Sequence, residues 1–219
     1  MTVPAAHYPT PAAKWADMAV HAVGLVFALF GGGLLIGLVS GLGSIGQTAS
    51  ISVYVAGLVG MLALSAAYNF AKAQWRPLLR RFDHAGIFLM IAGSYTPFTT
   101  LRLPGAWAVG MTTAVWSLAG LGMVGKLVLP GIGRKLWVGL YLALGWLALV
   151  AIKPMSDRLS LAALLLLAIG GLVYSTGAAF YVMKRLRFRR AIWHGHVVVG
   201  SVLHYAAVLV GVVLVSWYR

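Results

Sequence analysis

Long apolar stretches separated by short basic clusters set the pattern of this chain. None of Lys, Arg, Asp and Glu occurs in residues 18–71, 84–101, 103–125, 136–152, 159–183 or 191–218. A charge at the centre of a bilayer costs a few kcal/mol, so each charge-free interval marks a stretch able to cross a membrane. The first interval is about twice what a hydrocarbon core of about 30 Å holds at about 1.5 Å per residue, which makes it two helices. Its break falls in the polar, flexible run Ser40 to Ser50. Two helices plus five further intervals predict an all-α, integral membrane bundle of seven helices. A cytoplasmic tail over 1–17, loose for its first dozen residues, precedes a single transmembrane domain over 18–218. The first apolar segment is too long for a signal-peptide core and lacks a cleavage pattern, so it reads as a retained helix.

Loop charges orient the bundle. With seven crossings, Lys14, Lys72, Arg76, Arg80, Arg81, Lys126, Arg134, Lys135, Lys184, Arg185, Arg187, Arg189 and Arg190 fall on one side, and Arg102, Lys153, Arg158 and Arg219 on the other. The positive-inside rule then predicts a cytoplasmic N-terminus and an external C-terminus. Trp75, Trp107, Trp137, Trp193, Trp217 and Tyr218 near span ends suit an interfacial aromatic belt, and the glycine runs at Gly31 and Gly170 suit close helix packing. The run from Lys184 to Arg190 serves as a topology signal, with attraction to anionic head groups as the alternative.

Composition agrees and narrows the chemistry. Of 219 residues 61% are hydrophobic and 9% charged, which excludes a water-soluble globular domain. The net charge of +14 belongs to membrane-flanking loops rather than to a nucleic-acid-binding face. With no cysteine, disulfides, thiolate metal sites and thiol nucleophiles are all excluded.

The predicted topology gathers His21, Ser65, Asn69, Asp83, His84, Arg190, His194 and His196 towards the cytoplasmic end, with His204 about 15 Å deeper by helical rise. Such groups face the bundle interior and pair with one another. Ser65 and Asn69, four apart, share a helix face, either for a reaction or for helix–helix hydrogen bonding. Asp83 follows Arg80 and Arg81 and is either functional or a neutralised carboxylate at a helix start. His194 and His196 lie about 200° apart on a helix, so at most one of them faces a common site, whereas His194 and His204 are about 80° apart.

The runs Ser65-Ala-Ala-Tyr68-Asn69, Phe82-Asp83-His84-Ala85-Gly86-Ile87 and Ile91-Ala-Gly-Ser-Tyr95-Thr-Pro97-Phe98 resemble the SxxYH, LDHxxI and IAGTYTPF motifs of the haemolysin III family, the bacterial branch of the progestin and adipoQ receptor (PAQR) superfamily. Asp17-Met-Ala-Val-His21-Ala-Val-Gly24 matches more loosely. The resemblance implies seven helices in the bacterial inner membrane, and a zinc site resembling that of intramembrane lipid hydrolases such as ceramidases. Its ligands would be one His ending the span-2 motif and two His four apart in span 7, with an Asp orienting the metal-bound water. Ser65 and Asp83 match the implied catalytic positions and His194 one ligand position. Asn69 and Arg190 stand at the other two, where an amide is a weak ligand and a guanidinium none.

No cofactor is therefore expected, and an Asp83–Arg190 ion pair is expected to replace the metal's charge. Zinc held by His194 with Asp83 and His204 or His84 is the alternative. The expected partner is membrane lipid. Three functions follow: membrane homeostasis or lipid sensing with a degenerate metal site; zinc-dependent hydrolysis of a lipid amide, with Asp83 orienting water and Ser65 nearby; and membrane lysis or pore formation.

Overall fold

The computed structural model describes residues 7–129, 131–183 and 185–215. They form seven long helical stretches: α1 (Pro11–Leu42), α2 (Ile45–Phe70), α3 (Arg76–Leu101), α4 (Gly105–Val128), α5 (Arg134–Ser156), α6 (Leu161–Val182) and α7 (Arg189–Val213). All but α3 are long and apolar enough over their length to cross a membrane. α3 carries Arg76, Arg80, Arg81 and Asp83 in its first turns and is apolar only beyond them. With its 26 residues it completes the expected seven. Lys184, Trp217, Tyr218 and Arg219, used above for topology, lie outside the described residues.

Local chemistry explains most boundaries. Thr10 caps α1 by accepting from the Ala13 amide at 3.2 Å, and Pro11 follows in the first turn, where its missing N–H costs nothing. The helix thus begins within the stretch read from sequence as a tail. The break in the first apolar interval is tighter than the Ser40–Ser50 run. Ser44 and Gln47 form a reciprocal capping box, the Gln47 amide donating to Ser44 Oγ at 3.2 Å and the Ser44 amide to Gln47 Oε1 at 2.7 Å. Between α3 and α4 the chain turns at Gly105, whose φ of +42° only glycine adopts without strain.

Sequential helices pack side by side, and α7 returns to α1, closing a ring around an internal cavity. α2 and α3 approach closely, backbone to backbone: a Cβ on Gly93 would stand 3.3 Å from the Val53 carbonyl and 3.6 Å from Gly57 Cα. In lipid, where apolar surface does not drive helices together, such backbone contact is a main source of cohesion. α5 departs from α geometry over Trp146–Ala151, which is 3₁₀. Tyr95 from α3 repairs the break: its hydroxyl donates to the carbonyls of Leu144 (3.1 Å) and Gly145 (2.8 Å) and accepts from the Ala148 amide at 2.7 Å. Backbone groups freed within a bilayer need such partners.

Trp137 does not join an interfacial belt, because it is buried against Phe88, with Lys126 Nζ 4.6 Å from its ring centroid. The end of the bundle away from the α1 start is not wholly apolar either. Ser50 meets Thr100 at 3.0 Å, Thr112 donates to Thr99 at 2.8 Å, and Trp116 donates to Thr96 at 3.1 Å. These are neutral groups that satisfy one another.

Gly93→Val is expected to destabilise the protein by about 1–3 kcal/mol through overpacking of the α2–α3 crossing. Gly33→Ala, whose new methyl group meets nothing within 4 Å, leaves stability unchanged. Thermal midpoints in one detergent check both.

Candidate functional site

The start of α1, the end of α2 and the start of α7 meet at one end of the bundle, and their polar side chains converge there. The centre is Asp17, which is 0% exposed. Its Oδ1 accepts from His194 Nδ1 of α7 at 2.6 Å and its Oδ2 from the Tyr8 hydroxyl at 2.5 Å. Its main-chain carbonyl accepts from Nδ1 of His21, one helical turn on, at 2.8 Å. Burying a carboxylate is tolerable when its oxygens are hydrogen-bonded in this way.

These bonds fix both imidazole tautomers, because each Nδ1 faces a pure acceptor and so carries the proton. In neutral His21 and His194 the lone pair is then on Nε2. Both Nε2 atoms point at Ser65 of α2, at 3.2 Å and 3.4 Å from its Oγ. Asn69, one turn after Ser65, donates Nδ2 to the Ser65 carbonyl at 3.0 Å and reaches Ser65 Oγ at 3.4 Å. Its Oδ1 accepts from Arg190 Nη1 at 2.9 Å, which settles which way the amide faces.

Arg190 does not pair with Asp83: no bond within 4 Å joins them. The guanidinium is drawn instead to the N-terminal segment and to Asn69. Its Nε donates to the His7 carbonyl at 3.2 Å, its Nη2 to His7 Nδ1 at 3.2 Å, and its carbon lies 5.4 Å and 5.8 Å from the Tyr8 and Tyr68 ring centroids. Asp83 remains beside Ser65 on the cavity wall. His7 completes the cluster by donating Nε2 to Asn69 Oδ1 at 3.3 Å. Residues 7–10 are thus docked rather than loose. Burial and the adjoining carboxylate push the Tyr8 phenol up, keeping it a donor.

His84 and His204 line the same cavity away from this cluster. His84 donates Nδ1 to the Arg80 carbonyl at 2.6 Å, with Nε2 3.4 Å from the Tyr181 hydroxyl, and His204 packs against Tyr174. Neither converges with His194 on a ligand set. His196 bonds the Ile192 carbonyl on another face of α7, as the helical angle requires. The cavity measures about 400 Å³. From the polar cluster it extends between apolar walls that include Met61, Leu62, Ile91, Leu142, Trp146 and Val197.

Sequence reasoning missed Asp17, His7 and Tyr8 as site residues. For Asp17 a signal existed, the i, i+4 spacing of an acid and a His on one helix face. For His7 and Tyr8 there was none.

The positions implied for zinc do not fit the metal, since the Arg190 cation is bonded to Asn69 there. A second group could hold an ion: Asp17, His21 and His194 are buried and offer ligand atoms within 4.8 Å of one another. In the present bonding their Nδ1 atoms carry protons, so the available donors are the two Nε2 atoms. A divalent ion bound there would polarise a carbonyl or acidify a water.

Residues 13–205 match the model of a family described as Haemolysin-III related. The chain is 33% identical over 195 residues to a Bacillus subtilis (strain 168) protein named Hemolysin-3 homolog, an alignment covering 89% of this chain and 92% of the relative. It is 39% identical over 127 residues to the Hemolysin-3 of Bacillus cereus, covering 58% of each. A human protein named Monocyte to macrophage differentiation factor is 27% identical over 163 residues, covering 71% of this chain and 67% of that one.

The docked segment should respond to acid. Burial, Arg190 and Arg76 lower the His7 pKa from 6.5 to about 4, while Asn69 and Asp17 oppose the shift. The undocked segment binds the proton more readily. Docking is therefore fully favoured above about pH 6.5 and is lost as pH falls towards 4. The hydrogen-exchange protection of the Tyr8 and Thr10 amides, corrected for the intrinsic pH dependence of exchange, is expected to fall over that window, and a His7→Phe variant to lose this fall.

Proposed function

Because this chain belongs to the haemolysin III family of the PAQR superfamily and is a multi-pass membrane protein, we propose that it binds a single-chain lipid within its bundle and serves membrane homeostasis by lipid sensing. The observation that carries this reading is the cavity, which brings the polar groups of Asp83, Ser65, His21 and His194 and the basic side chains of Arg80, Lys126, Arg134 and Arg189 together with apolar walls that include Met61, Leu62, Ile91, Leu142, Trp146 and Val197. Buried pockets of this volume with a few convergent polar groups are the usual form of small-ligand sites. The acyl chain lies between α3, α5, α6 and α7, and the polar head reaches Ser65.

The orientation consistent with the loop charges puts this polar end at the cytoplasmic face of the bacterial inner membrane. Arg190 supplies the positive charge at the family's metal position, so lipid binding in this member needs no ion at that position. Lysis is the poorer reading, whatever the names of the relatives. A permeation path needs a polar lining through its full depth, and here the acid and the hydrogen-bonded imidazoles gather at one end.

Two measurements test the proposal. Native mass spectrometry of detergent-purified protein is expected to find one single-chain lipid retained, and Leu142→Trp, which fills the cavity, to lose it. An equal lipid load in both would count against the cavity. The Asn69→His, Arg190→His double variant, which sets two imidazoles beside His194, is expected to bind about one zinc per chain more than the natural protein. No gain would mean that Arg190 is not what displaced the metal.

A further inference from the structure

The bonds around Ser65 have a chemical meaning beyond lipid binding. Ser65 Oγ, His194 Nε2, His194 Nδ1 and Asp17 Oδ1 form one continuous chain, with Oγ–Nε2 at 3.4 Å and Nδ1–Oδ1 at 2.6 Å. This is the order of roles in a nucleophile, a base and a carboxylate that orients the base. Such nucleophile–base contacts are commonly long without substrate and tighten when it binds. We propose that Ser65 is a nucleophile activated by His194 and positioned by Asp17, and that the bundle hydrolyses a carboxylic ester of a long-chain acyl lipid. The proposal rests on the reading that the cavity takes an acyl chain, which would deliver the ester carbonyl to Ser65.

Three features of the site bear on it. The hydroxyl proton of Ser65 has two imidazole acceptors within reach, the Nε2 atoms of His21 at 3.2 Å and of His194 at 3.4 Å, so the oxygen can donate towards a base. Of the two imidazoles only His194 has its Nδ1 held by a carboxylate, the arrangement that orients a base, whereas that of His21 faces a peptide carbonyl. Asn69 presents an amide N–H beside Ser65 Oγ and is held in that sense by Arg190 on its Oδ1. Its Nδ2 donates to both the Ser65 carbonyl and Ser65 Oγ, so it orients the hydroxyl against the two imidazoles. The two departures from the metal-binding pattern, Asn69 and Arg190, thus become one device.

The reaction balances without a metal. Ser65 Oγ bonds to the carbonyl carbon as its proton passes to His194 Nε2. The carbon–alkoxy bond then breaks, and the alcohol leaves with the proton from His194, which gives an acyl ester on Ser65. Water attacks that ester and gives a proton to His194. Ser65 Oγ departs, taking the proton back, and a fatty acid is released.

The test uses the full chain in lipid nanodiscs, a fluorophosphonate probe for activated serines, and peptide mapping by mass spectrometry. The expected result is one adduct, on Ser65, absent in Ser65→Ala and unaffected by a chelator. His194→Gln should lower the labelling rate by on the order of 10²–10⁴-fold. Asp17→Asn should lower it similarly, and Asp17→Glu should restore part of the loss, which a merely structural carboxylate would not do. A larger loss in His21→Gln than in His194→Gln would overturn the choice of base. An unlabelled Ser65 in protein that still retains its lipid would overturn the proposal and leave lipid binding standing. Loss of labelling on chelation, restored by zinc, would also overturn it. Absence of both adduct and bound lipid would remove the two readings together.

Discussion

The buried carboxylate of Asp17 is the constraint on which the site depends. An ionised group with no exposure to water persists only if every oxygen is met by a donor, and here the donors come from the N-terminal segment and from α7. Satisfying one side chain therefore ties the first helix to the last and closes the ring of seven. The same bonds assign the protons on two imidazoles and turn both Nε2 lone pairs to Ser65. Architecture and chemistry are set by one group.

A second constraint is the treatment of positive charge. The haemolysin III resemblance implies a metal held by three imidazoles, and this chain retains one of them. The Arg190 guanidinium cannot lose its proton, so it forms a permanent cation that the surroundings must accommodate. They do so through a carbonyl, an imidazole, an amide and two aromatic rings rather than through Asp83. Asp83 is thereby left on the cavity wall, beside Ser65. A direct Asp83–Arg190 pair would have taken that carboxylate out of the site.

The bilayer governs the remainder. Without a hydrophobic drive between helices, cohesion falls to close backbone contact at Gly57 and Gly93 and to hydroxyl pairs such as Ser50 with Thr100. Where α5 leaves α geometry, the Tyr95 hydroxyl takes over the freed backbone groups. Trp137 shows the limit of reading position from residue type: its indole fits an interface, yet the packing of α3 and α5 buries it against Phe88.

The sequence by itself determined the membrane class, the seven helices and the end at which polar groups gather, because charge cannot sit unpaired in lipid and its spacing is visible in one dimension. It also determined that His194 and His196 face apart, since helical rotation is local, and that Asn69 and Arg190 depart from a metal-binding pattern. Only the tertiary structure decided the partners. That Arg190 bonds Asn69 and His7 instead of Asp83 depends on where the N-terminal segment docks, with His7 183 positions away in the chain. That Asp17 reaches His194 depends on α7 returning to α1. Hydrogen bonds act over about 3 Å, and contacts that short between distant segments are set by packing, which no periodicity along the chain records.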